Sequence, residues 1–407
     1  MRNEKTALIS AEQALQKVLA TAQDFGTEEV LLQAATGRVL KTTVFADSDF
    51  PPFNRVAMDG IAIAFQQFKN GQTAFTIEAV QAAGSPQKTL QNKQNCIEVM
   101  TGAVLPAGVD TVIRYEDIVV ENGQASLQVA AITAGQNIHT KGKDSCAGSF
   151  LIAENTKISA AEIGVLASVG QAIVTVAKQP RVLIISTGDE LVPVAATPLP
   201  HQIRRSNVHT LVSLLASLHI SSETAHMTDD KHLLKAAIEK ALARYDVLLF
   251  SGAVSKGKYD FLPEIFTELG VQKHFHTVAQ RPGKPFWFGQ KTTKGHTTTV
   301  FGFPGNPIST YVNCLAYFYP WYCQSVGITN EQETAILTTT ISFSPALTYF
   351  VAVKITSRNG HVQATPVQGN GSGDLVSLTQ ADGFIILPAT LDTFITGTVF
   401  PIIRFRK

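Results

Sequence analysis

The spacing of hydrophobic and polar residues changes several times along the chain. Ser10 and Gln13 form a capping box, which predicts the start of a helix. From about residue 57 to residue 139, short alternating segments separated by Gly and Pro predict strands. Residues 158–170 return to helical spacing, and Gly170 predicts the end of that helix. The first part of the chain is therefore predicted to be mostly β between two helices.

From residue 180 onward, continuous apolar runs alternate with amphipathic segments. This alternation predicts a doubly wound, mostly parallel sheet with helices on both faces. Beyond Gly327, short β segments predict a small C-terminal barrel or sandwich. The predicted strands of the sheet cover 181–186, 246–250 and 297–303, and the helices cover 206–220 with a capped start, 229–245 and 260–270.

These changes predict a multidomain α/β plus β protein with four domains. The central one is the doubly wound α/β domain, and the domain before it is mostly β. The predicted boundaries are 1–48 with 140–177 for a discontinuous linking domain whose first helix packs elsewhere, 49–139 for the mostly-β second domain, 178–327 for the α/β domain and 328–407 for the C-terminal β domain.

Composition narrows the function classes. The 407 residues are 45% hydrophobic and 16% charged, with a net charge of +1, which gives no support for nucleic-acid binding. No apolar stretch approaches the roughly 20 residues of a membrane span, and the first residues lack the apolar core of a signal peptide. Four cysteines without CxxC spacing fit a reducing compartment. We predict a soluble, cytoplasmic protein without nucleic-acid or membrane partners.

Residues 252–258, GAVSKGK, match the spacing of a nucleotide-binding P-loop behind the strand 246–250. The next residue, however, is Tyr259, which has no hydroxyl suited to Mg²⁺ in that loop, and the following helix is predicted to begin only near 261–263. We interpret the segment as a different phosphate-handling loop.

Three predicted strands end in loops of similar character, and the carboxyl ends of strands in such sheets form the ligand crevice. Glycines let backbone amides approach a ligand closely, and helix starts favour anions. The candidate substrate-binding residues of these loops are Thr187, Gly188 and Asp189, then Ser251, Gly252, Ser255, Lys256, Gly257 and Lys258, then Pro304, Gly305, Asn306 and Pro307.

The same region mixes acids with cations. Amides and lysines suit a phosphate, whereas several carboxylates suit a hard cation such as Mg²⁺ bound to that phosphate. The mixture therefore indicates metal-assisted chemistry on a phosphate ester or anhydride. The acids are Asp189, Glu190, Asp229 and Asp260, and the cations are Lys256, Lys258, Arg281 and Lys284.

Each residue also has an ordinary structural interpretation. Asp229 and Asp230 both precede a predicted helix, and Asp230 is the better candidate for its cap. Gly305 and Pro307 are residue types common in turns. Lys256 and Lys258 could simply be charged side chains exposed to solvent in a loop. The succession of three such loops at strand ends favours function over these separate interpretations.

Seven segments of the sequence, taken in chain order, together match the motifs of a known protein family. They are PPFNRVAMDGIAI, MTGAVLPAGVDTVIRYED, STGDEL, FSGAVSKGKYD, RPGKPFWFG, FGFPGNPIS and GSGDLVSLTQADGF. Together they resemble the motifs of the MoeA family, the molybdopterin molybdenumtransferases, which are related to the C-terminal part of gephyrin. The resemblance extends from Ile9 to Phe405.

The resemblance implies a fold and an activity. It implies a homodimer with a central molybdopterin-binding, MogA-like domain. It also implies the insertion of molybdenum from molybdate into adenylylated molybdopterin, with Mg²⁺ as cofactor and release of AMP. A molybdopterin adenylyltransferase is the implied donor partner, and molybdoenzyme apoproteins or their chaperones are the implied acceptors.

The resemblance also implies residue roles. Glu190, Asp229 and Asp260 become candidate catalytic residues and Mg²⁺ ligands. Asp59 and Thr101 become catalytic from the second domain of the other subunit, although without the resemblance a turn Asp before Gly60 and a strand-end Thr would be the preferred interpretation. Further matches to the family are Asp144, the PGNP prolines Pro304 and Pro307, and Ser372 as a substrate contact.

The chain departs from the family pattern at several positions. Ala253 stands where the family usually has Gly, and Lys143 where Glu is common. Around Ala352 the chain lacks an Arg that many members carry. Two further changes affect charge and size: Lys256 replaces an apolar residue, and Arg55 with Val56 replaces smaller polar residues.

Two alternatives remain open at this stage. The α/β domain is shared with molybdopterin adenylyltransferases, so an activity of that kind is one alternative. The other is a non-catalytic dimeric scaffold, as in part of gephyrin. The acids Asp59, Glu190, Asp229 and Asp260 favour catalysis.

Overall fold

A computed structural model describes residues 8–252, 254, 260–293, 295–329 and 331–406. The predicted capping box at the start is confirmed, because Ser10 Oγ accepts from Gln13 N at 3.1 Å and Gln13 Oε1 accepts from Ser10 N at 3.2 Å. The helix behind it buries Ala14 and Val18 in the same apolar cluster as Trp321. The first elements are β1 (Ile9–Ser10), α1 (Ala11–Leu19), β2 (Thr27–Leu31), a 3₁₀ turn (Leu32–Ala34) and β3 (Val44–Phe45).

The next unit is a six-stranded mixed sheet. Within the range 57–139 that was predicted to form strands, residues 111–121 form two strands separated by a 3₁₀ turn, Tyr115–Asp117. The elements are β4 (Arg55–Val56), β5 (Gly60–Ile63), α2 (Phe65–Lys69), β6 (Ala74–Gln81), β7 (Cys96–Val99), β8 (Thr111–Arg114), β9 (Ile118–Glu121), β10 (Gln124–Leu127) and β11 (Ile138–His139), and the sheet order is β8-β5-β7-β6-β10-β9.

The chain then returns to its first strands. Ser159 and Glu162 form a second capping box at the start of the predicted helix there. The elements are β12 (Phe150–Ile152), α3 (Ala160–Ser168) and β13 (Ile173–Ala177). Strand β12 pairs with β3, and β13 pairs with β2, both antiparallel. The domain boundaries themselves stay a prediction.

The α/β unit is a six-stranded sheet in the order β17-β14-β18-β22-β21-β19. The first four strands in this order are parallel, whereas β21 pairs antiparallel with both β22 and β19, an edge that the sequence patterns did not predict. The elements are β14 (Val182–Thr187), β15 (Leu191–Val192), β16 (Ile203–Arg204), α4 (Ser206–Ala216), β17 (Ser222–Met227), α5 (Lys231–Arg244), β18 (Val247–Ser251), α6 (Leu262–Glu268), β19 (Gln272–His276), β20 (Val278–Arg281), β21 (Trp287–Thr293), β22 (His296–Phe303), α7 (Pro307–Asn313), a π-helical segment (Cys314–Phe318) and α8 (Tyr319–Val326).

Both faces of this sheet are covered. Ile184 of β14 packs in the cluster that includes Leu211 of α4 and Val312 of α7, while the neighbouring Ile185 packs in the cluster that includes Ile238 of α5. Successive residues of a strand point to opposite faces, so both faces of β14 are apolar and buried. This arrangement places the loops at the carboxyl ends of the parallel strands at one open edge.

The C-terminal strands form a closed ring, in the order β25-β26-β23-β29-β27 and back to β25. A barrel-like sheet is therefore the outcome of the two predicted possibilities. Strand β20 pairs in parallel with β25, so Arg281 lies opposite Tyr349 and the barrel adjoins the α/β unit. The elements are β23 (Thr334–Leu337), β24 (Ile341–Ser342), β25 (Thr348–Arg358), β26 (His361–Pro366), a 3₁₀ turn (Val376–Gln380), β27 (Gly383–Leu387), β28 (Thr393–Phe394) and β29 (Val399–Arg404).

Across the described ranges, none of the helices combines the length and the apolar character that crossing a bilayer requires.

Candidate active site

The predicted strand-end loops meet in one cavity of about 360 Å³, which we call the first cavity. Because β14, β18 and β22 are parallel neighbours, their carboxyl ends open at the same edge of the sheet. Of the predicted site residues, the cavity is lined by Thr187, Gly188, Glu190, Asp229, Ser251, Gly252, Asp260, Pro304, Gly305, Asn306 and Pro307.

In the loop after β14, the backbone at Gly188 lies close to the carboxylate of Glu190. Gly188 has φ +130°, and a Cβ at this position would lie 2.4 Å from Glu190 Oε2, so a larger residue would displace the carboxylate. Thr187 is only 4% exposed, and its Oγ1 has no hydrogen-bond partner among the described residues. A buried hydroxyl in this state favours a ligand as its partner.

The loops after β18 and β22 approach each other through glycines. Gly252 has φ +111°, and its missing Cβ would lie 3.1 Å from Thr187 Oγ1. A Cβ on Gly305 would lie 3.8 Å from the Cα of Gly252. The absence of side chains at these two glycines lets the backbones of the three loops lie close together.

The start of α4 also lines the first cavity, and here the prediction of a capped start was wrong. Ser206 is the first helical residue rather than the cap, and Arg205, which occupies the N-cap position, makes no side-chain capping hydrogen bond. The orphan N–H groups of a helix start carry partial positive charge, which attracts anions. The uncapped start therefore gives the cavity an anion-binding end. The lining residues from this segment are Ile203, Arg204, Arg205, Ser206, Asn207 and Val208.

Asn207 is a site residue that sequence reasoning missed. Its Nδ2 donates to Ser251 Oγ at 2.9 Å and to Gly305 O at 2.7 Å. Its only sequence signal was its position at the start of an amphipathic helix. The side chain ties the helix start to two of the three loops.

The acids give the same cavity a negative side. Burial raises the pKa of Asp229 above its usual value, and the carboxylates of Asp189, Glu190 and Asp260 raise it further, while a hydrogen bond donated by the backbone N–H of Asp189 to the Asp229 carboxylate opposes them. Repulsion among these acids favours a cation between them. Among the described residues, however, three side chains of metal-ligand type do not come close enough to form a metal site by themselves.

The predicted site acid Asp189 and the predicted helix cap Asp230 both lie outside the cavity lining. Asp189 does not line the cavity, but its Oδ1 accepts a hydrogen bond from the N–H of the lining residue Asp229 at 3.2 Å. Asp230 caps α5, because its Oδ1 accepts from His232 N and Leu233 N, both at 2.9 Å. The structural interpretation of Asp230 is confirmed.

Arg281, Lys284 and Ser372 line a different, second cavity of about 410 Å³ between the α/β unit and the barrel. The prediction that these cations share a crevice with the strand-end loops was therefore wrong. Asn306 lines both cavities and donates from Nδ2 to Ser372 Oγ at 3.0 Å. The two cavities are neighbours joined by this residue.

The second cavity differs from the first in charge. Its described lining residues include no carboxylate, and neither Arg281 nor Lys284 forms an ion pair with any described residue. The guanidinium of Arg281 lies over the rings of Phe343 and Tyr349, 5.7 and 5.9 Å from their centroids. Contacts of this kind hold a cation in place without neutralising it. Ala352 lines the same cavity.

Asp59 and Thr101 lie in neither cavity of the same chain. Thr101 N and Oγ1 both donate to Asp59 Oδ1, at 2.6 and 2.7 Å, and these bonds lower the pKa of Asp59. Both residues are exposed. The pair is an ionised carboxylate held in one orientation at the surface.

Asp144 belongs to another surface cluster. His139 Nε2 lies 2.9 Å from Asp144 Oδ1, and Arg55 Nη2 lies 3.2 Å from His139 Nδ1. Lys143 is exposed beside this cluster. Arg55 and Lys143, two of the departures noted from sequence, therefore add positive charge near Asp144. The predicted residues Ala253, Ser255, Lys256, Gly257 and Lys258 lie outside the described residues.

Comparison with known proteins places the chain in a family. It is 37% identical over 400 residues to the molybdopterin molybdenumtransferase of Synechocystis sp. (strain ATCC 27184 / PCC 6803 / Kazusa), an alignment that covers 97% of this chain and 99% of the relative. The chain belongs to the MoeA family. A second relative, the molybdopterin molybdenumtransferase of Bacillus subtilis (strain 168), is 30% identical over 99% of this chain and 96% of its own length.

Three family profiles and a solved structure extend this MoeA assignment along the chain. The profiles describe the MoeA N-terminal region (domain I and II), a probable molybdopterin binding domain and the MoeA C-terminal region (domain IV), and they match residues 9–170, 183–321 and 334–405. The molybdopterin biosynthesis MoeA protein from Pyrococcus horikoshii OT3 is similar to this chain with a TM-score of 0.81 at 26% identity. This match covers 98% of this chain and 100% of that one.

Proposed function

We propose that this MoeA-family chain is a molybdopterin molybdenumtransferase of molybdenum cofactor biosynthesis, acting in the cytoplasm. In this reaction, molybdenum passes from molybdate to adenylylated molybdopterin, and AMP is released. The observation that carries the proposal is the composition of the first cavity. An uncapped helix start, the buried hydroxyl of Thr187 and the acids Glu190, Asp229 and Asp260 line it together. A phosphate with a divalent cation requires such a combination.

The phosphate of the adenylate is assigned to the side of the cavity formed by α4 and the glycine loops. Among the described residues that line the cavity, Thr187 Oγ1 is the only side-chain polar atom that is both deeply buried and without a hydrogen-bond partner, so it is assigned as a donor to a phosphate oxygen. Ser251, Gly252 and the PGNP loop complete the contact surface. The hydrogen bonds of Asn207 to Ser251 and Gly305 hold these loops in position against the start of α4.

Mg²⁺ fits the acidic side of the cavity. It usually binds one or two carboxylates together with phosphate oxygens and water, so it does not need three protein ligands. Glu190 and Asp229 are assigned as its ligands, with Asp260 as the third nearby acid. When bound, Mg²⁺ would neutralise charge on the phosphate that leaves with AMP. A cation bound there would keep Asp229 ionised, because it offsets the burial and the neighbouring negative charges that raise the pKa of this side chain.

Molybdate is assigned to the second cavity. A dianion is repelled by the acids of the first cavity and attracted by Arg281 and Lys284. Ser372 and Asn306 add neutral donors. At Ala352 the chain lacks the Arg that the family resemblance implies, and the Arg281 guanidinium, held against the ring of Tyr349, supplies a similar charge.

Asp59 and Thr101 are assigned to the active site of a second copy of the chain. They form an oriented, exposed carboxylate that neither cavity of their own chain uses. The protein is accordingly proposed to act as a homodimer. A molybdopterin adenylyltransferase is proposed to supply the adenylate, and molybdoenzyme apoproteins or their chaperones to receive the product.

The test follows the two phosphate reactions separately. The purified protein should release AMP from adenylylated molybdopterin when molybdate and Mg²⁺ are present, and should not consume ATP with free molybdopterin. Thr187→Val and Glu190→Gln should each slow AMP release at least about 100-fold, whereas the exposed helix residue Glu239 tolerates Glu239→Gln. ATP consumption would instead support adenylyl transfer, and absence of both reactions would support a scaffold.

A further inference from the structure

A buried polar network borders the second cavity, and one of its members, Gln280, is among the residues that line that cavity. The Tyr317 hydroxyl donates to Gln280 Oε1, and Gln280 Nε2 donates to Asn313 Oδ1 at 2.7 Å. Tyr317 and Gln280 are 1% exposed and Asn313 is 0% exposed. Three polar side chains are thus shut away from water and satisfied chiefly by one another.

The network ends on the backbone of the loop that carries the two cations. Gln280 Nε2 also donates to Pro282 O at 3.0 Å, and Asn313 Nδ2 donates to Gly283 O at 3.3 Å. Gly283 has φ +89°, and a Cβ there would lie 2.6 Å from Asn313 Oδ1. The loop between Arg281 and Lys284 therefore rests against the network without a gap.

The network also reaches the first cavity through a helix. Asn313 is the last residue of α7, whose first residue, Pro307, lines the first cavity. Tyr317 belongs to the π-helical segment that follows. Such segments are uncommon inside helices and often accompany functional sites. One continuous helix thus connects the network with the PGNP loop.

Core filling alone does not require these residues. Apolar side chains of the same shape in place of a hydrogen-bonded set are often neutral for stability or even favourable. A satisfied network, in contrast, fixes one geometry, because each member loses its partners when another moves. What this network fixes is the backbone at Pro282 and Gly283, between the two cations.

We propose that Tyr317, Gln280 and Asn313 are positioning residues that set the affinity for the tetrahedral oxyanion. They hold the loop so that Arg281 and Lys284 face the second cavity together before the oxyanion arrives. Preorganisation of this kind raises affinity by removing the cost of ordering the loop on binding. The inference rests on the proposed oxyanion role of the second cavity.

The test measures molybdate binding by titration calorimetry and the KM for molybdate in AMP release. Tyr317→Phe removes one hydroxyl, and Gln280→Met and Asn313→Leu remove the network at similar volume. Each should raise the Kd and KM for molybdate about 3- to 10-fold, the factor that corresponds to one hydrogen bond. The kcat at saturating molybdate should stay within about twofold, since positioning acts on binding. Should Gln280→Met fail to fold, Tyr317→Phe carries the test.

Two further variants separate the outcomes. Ser325→Ala removes a hydroxyl from the same helix, where Ser325 Oγ donates to Trp321 O at 2.9 Å, and should leave the KM for molybdate unchanged. Lys284→Ala should weaken molybdate binding. If it does and the three network variants change only the melting temperature, the network is merely structural and the inference is overturned. If Lys284→Ala has no effect, the oxyanion role of the second cavity fails first.

Discussion

Asn207 Nδ2 donates a hydrogen bond to Ser251 Oγ at 2.9 Å, which ties the start of α4 to the carboxyl end of β18. The same amide donates to Gly305 O at 2.7 Å. One side chain thus holds two loops of the first cavity against the helix start. In the proposed reaction, that helix start binds the phosphate of the adenylate.

Asn207→Ala should therefore impair both folding and activity. Loss of the two donors leaves Gly305 O without this partner and should lower the free energy of unfolding by about 1–3 kcal/mol. The two loops are also no longer held in position against the start of α4, so kcat/KM for AMP release should fall at least about tenfold. Urea unfolding and the AMP assay measure the two effects.

Asn95→Ala is the matched control for this substitution. Asn95 Nδ2 donates to Glu78 Oε2 at 3.0 Å in the second unit, outside both cavities. It should cost some stability and leave kcat/KM unchanged. If the Asn207→Ala protein keeps the kcat/KM of the wild type, the activity of the first cavity does not depend on the hydrogen bonds of Asn207.

Gly252→Ala should be destabilising because of its backbone and its neighbour. The residue has φ +111°, and the new Cβ would lie 3.1 Å from Thr187 Oγ1. The expected loss in the free energy of unfolding is about 1–3 kcal/mol, together with weaker nucleotide binding. Gly164→Ala, in the exposed part of α3 with open space around it, should stabilise by about 0.5–1 kcal/mol. Equal effects of both substitutions in thermal unfolding would contradict this account.

Asp229→Asn should raise the stability of the metal-free protein at neutral pH. The folded-state pKa of Asp229 is raised, by burial first and then by neighbouring acids, so the ionised form costs stability above that pKa. The gain should shrink as the pH falls through the raised pKa and should vanish below the usual value of 3.8, where wild-type Asp229 is protonated in both states.

Addition of Mg²⁺ should reverse the order of stability of the wild-type and Asp229→Asn proteins. Wild type should gain melting temperature on addition of Mg²⁺ and AMP, and this gain should weaken at acidic pH, whereas Asp229→Asn should gain less at every pH. Calorimetric scans across pH measure both effects. If Mg²⁺ stabilises both proteins equally, Asp229 is not a ligand.

Two inactive variants should restore activity to each other if the site is shared between subunits. Asp59→Asn alters the second domain and Glu190→Gln alters the first cavity. A mixed dimer has one site with both residues intact, so a co-expressed equal mixture should show about a quarter of wild-type activity. Mixing after separate purification, without subunit exchange, is the control. Activity no higher than that of the single variants would place Asp59 outside the shared site.

The sequence predicted the first cavity well because strand ends are readable from pattern. Apolar runs mark where β14, β18 and β22 end, and parallel strands bring their carboxyl ends to one edge. Thr187, Ser251 and Pro304 were therefore predicted together. Asn207 and Gln280 were missed because one polar residue at a helix start or on a strand creates no periodic signal.

Proximity along the sequence gave the wrong location for the cations Arg281 and Lys284. Arg281 and Lys284 follow the strand-end loops along the chain, yet β20 leaves the α/β sheet and pairs with β25 of the barrel. That pairing is a long-range contact that spacing does not reveal. The antiparallel edge formed by β21 and β19 was missed for the same reason, since strand direction depends on the partner.

The most direct test of the account is a crystal structure with AMP, Mg²⁺ and molybdate. We predict the AMP phosphate at the start of α4 within hydrogen-bond distance of Thr187 Oγ1, Mg²⁺ on Glu190 and Asp229, and molybdate beside Lys284. A phosphate bound elsewhere, with Thr187 Oγ1 still unpaired, would contradict the central claim that the first cavity binds the anhydride and its cation together.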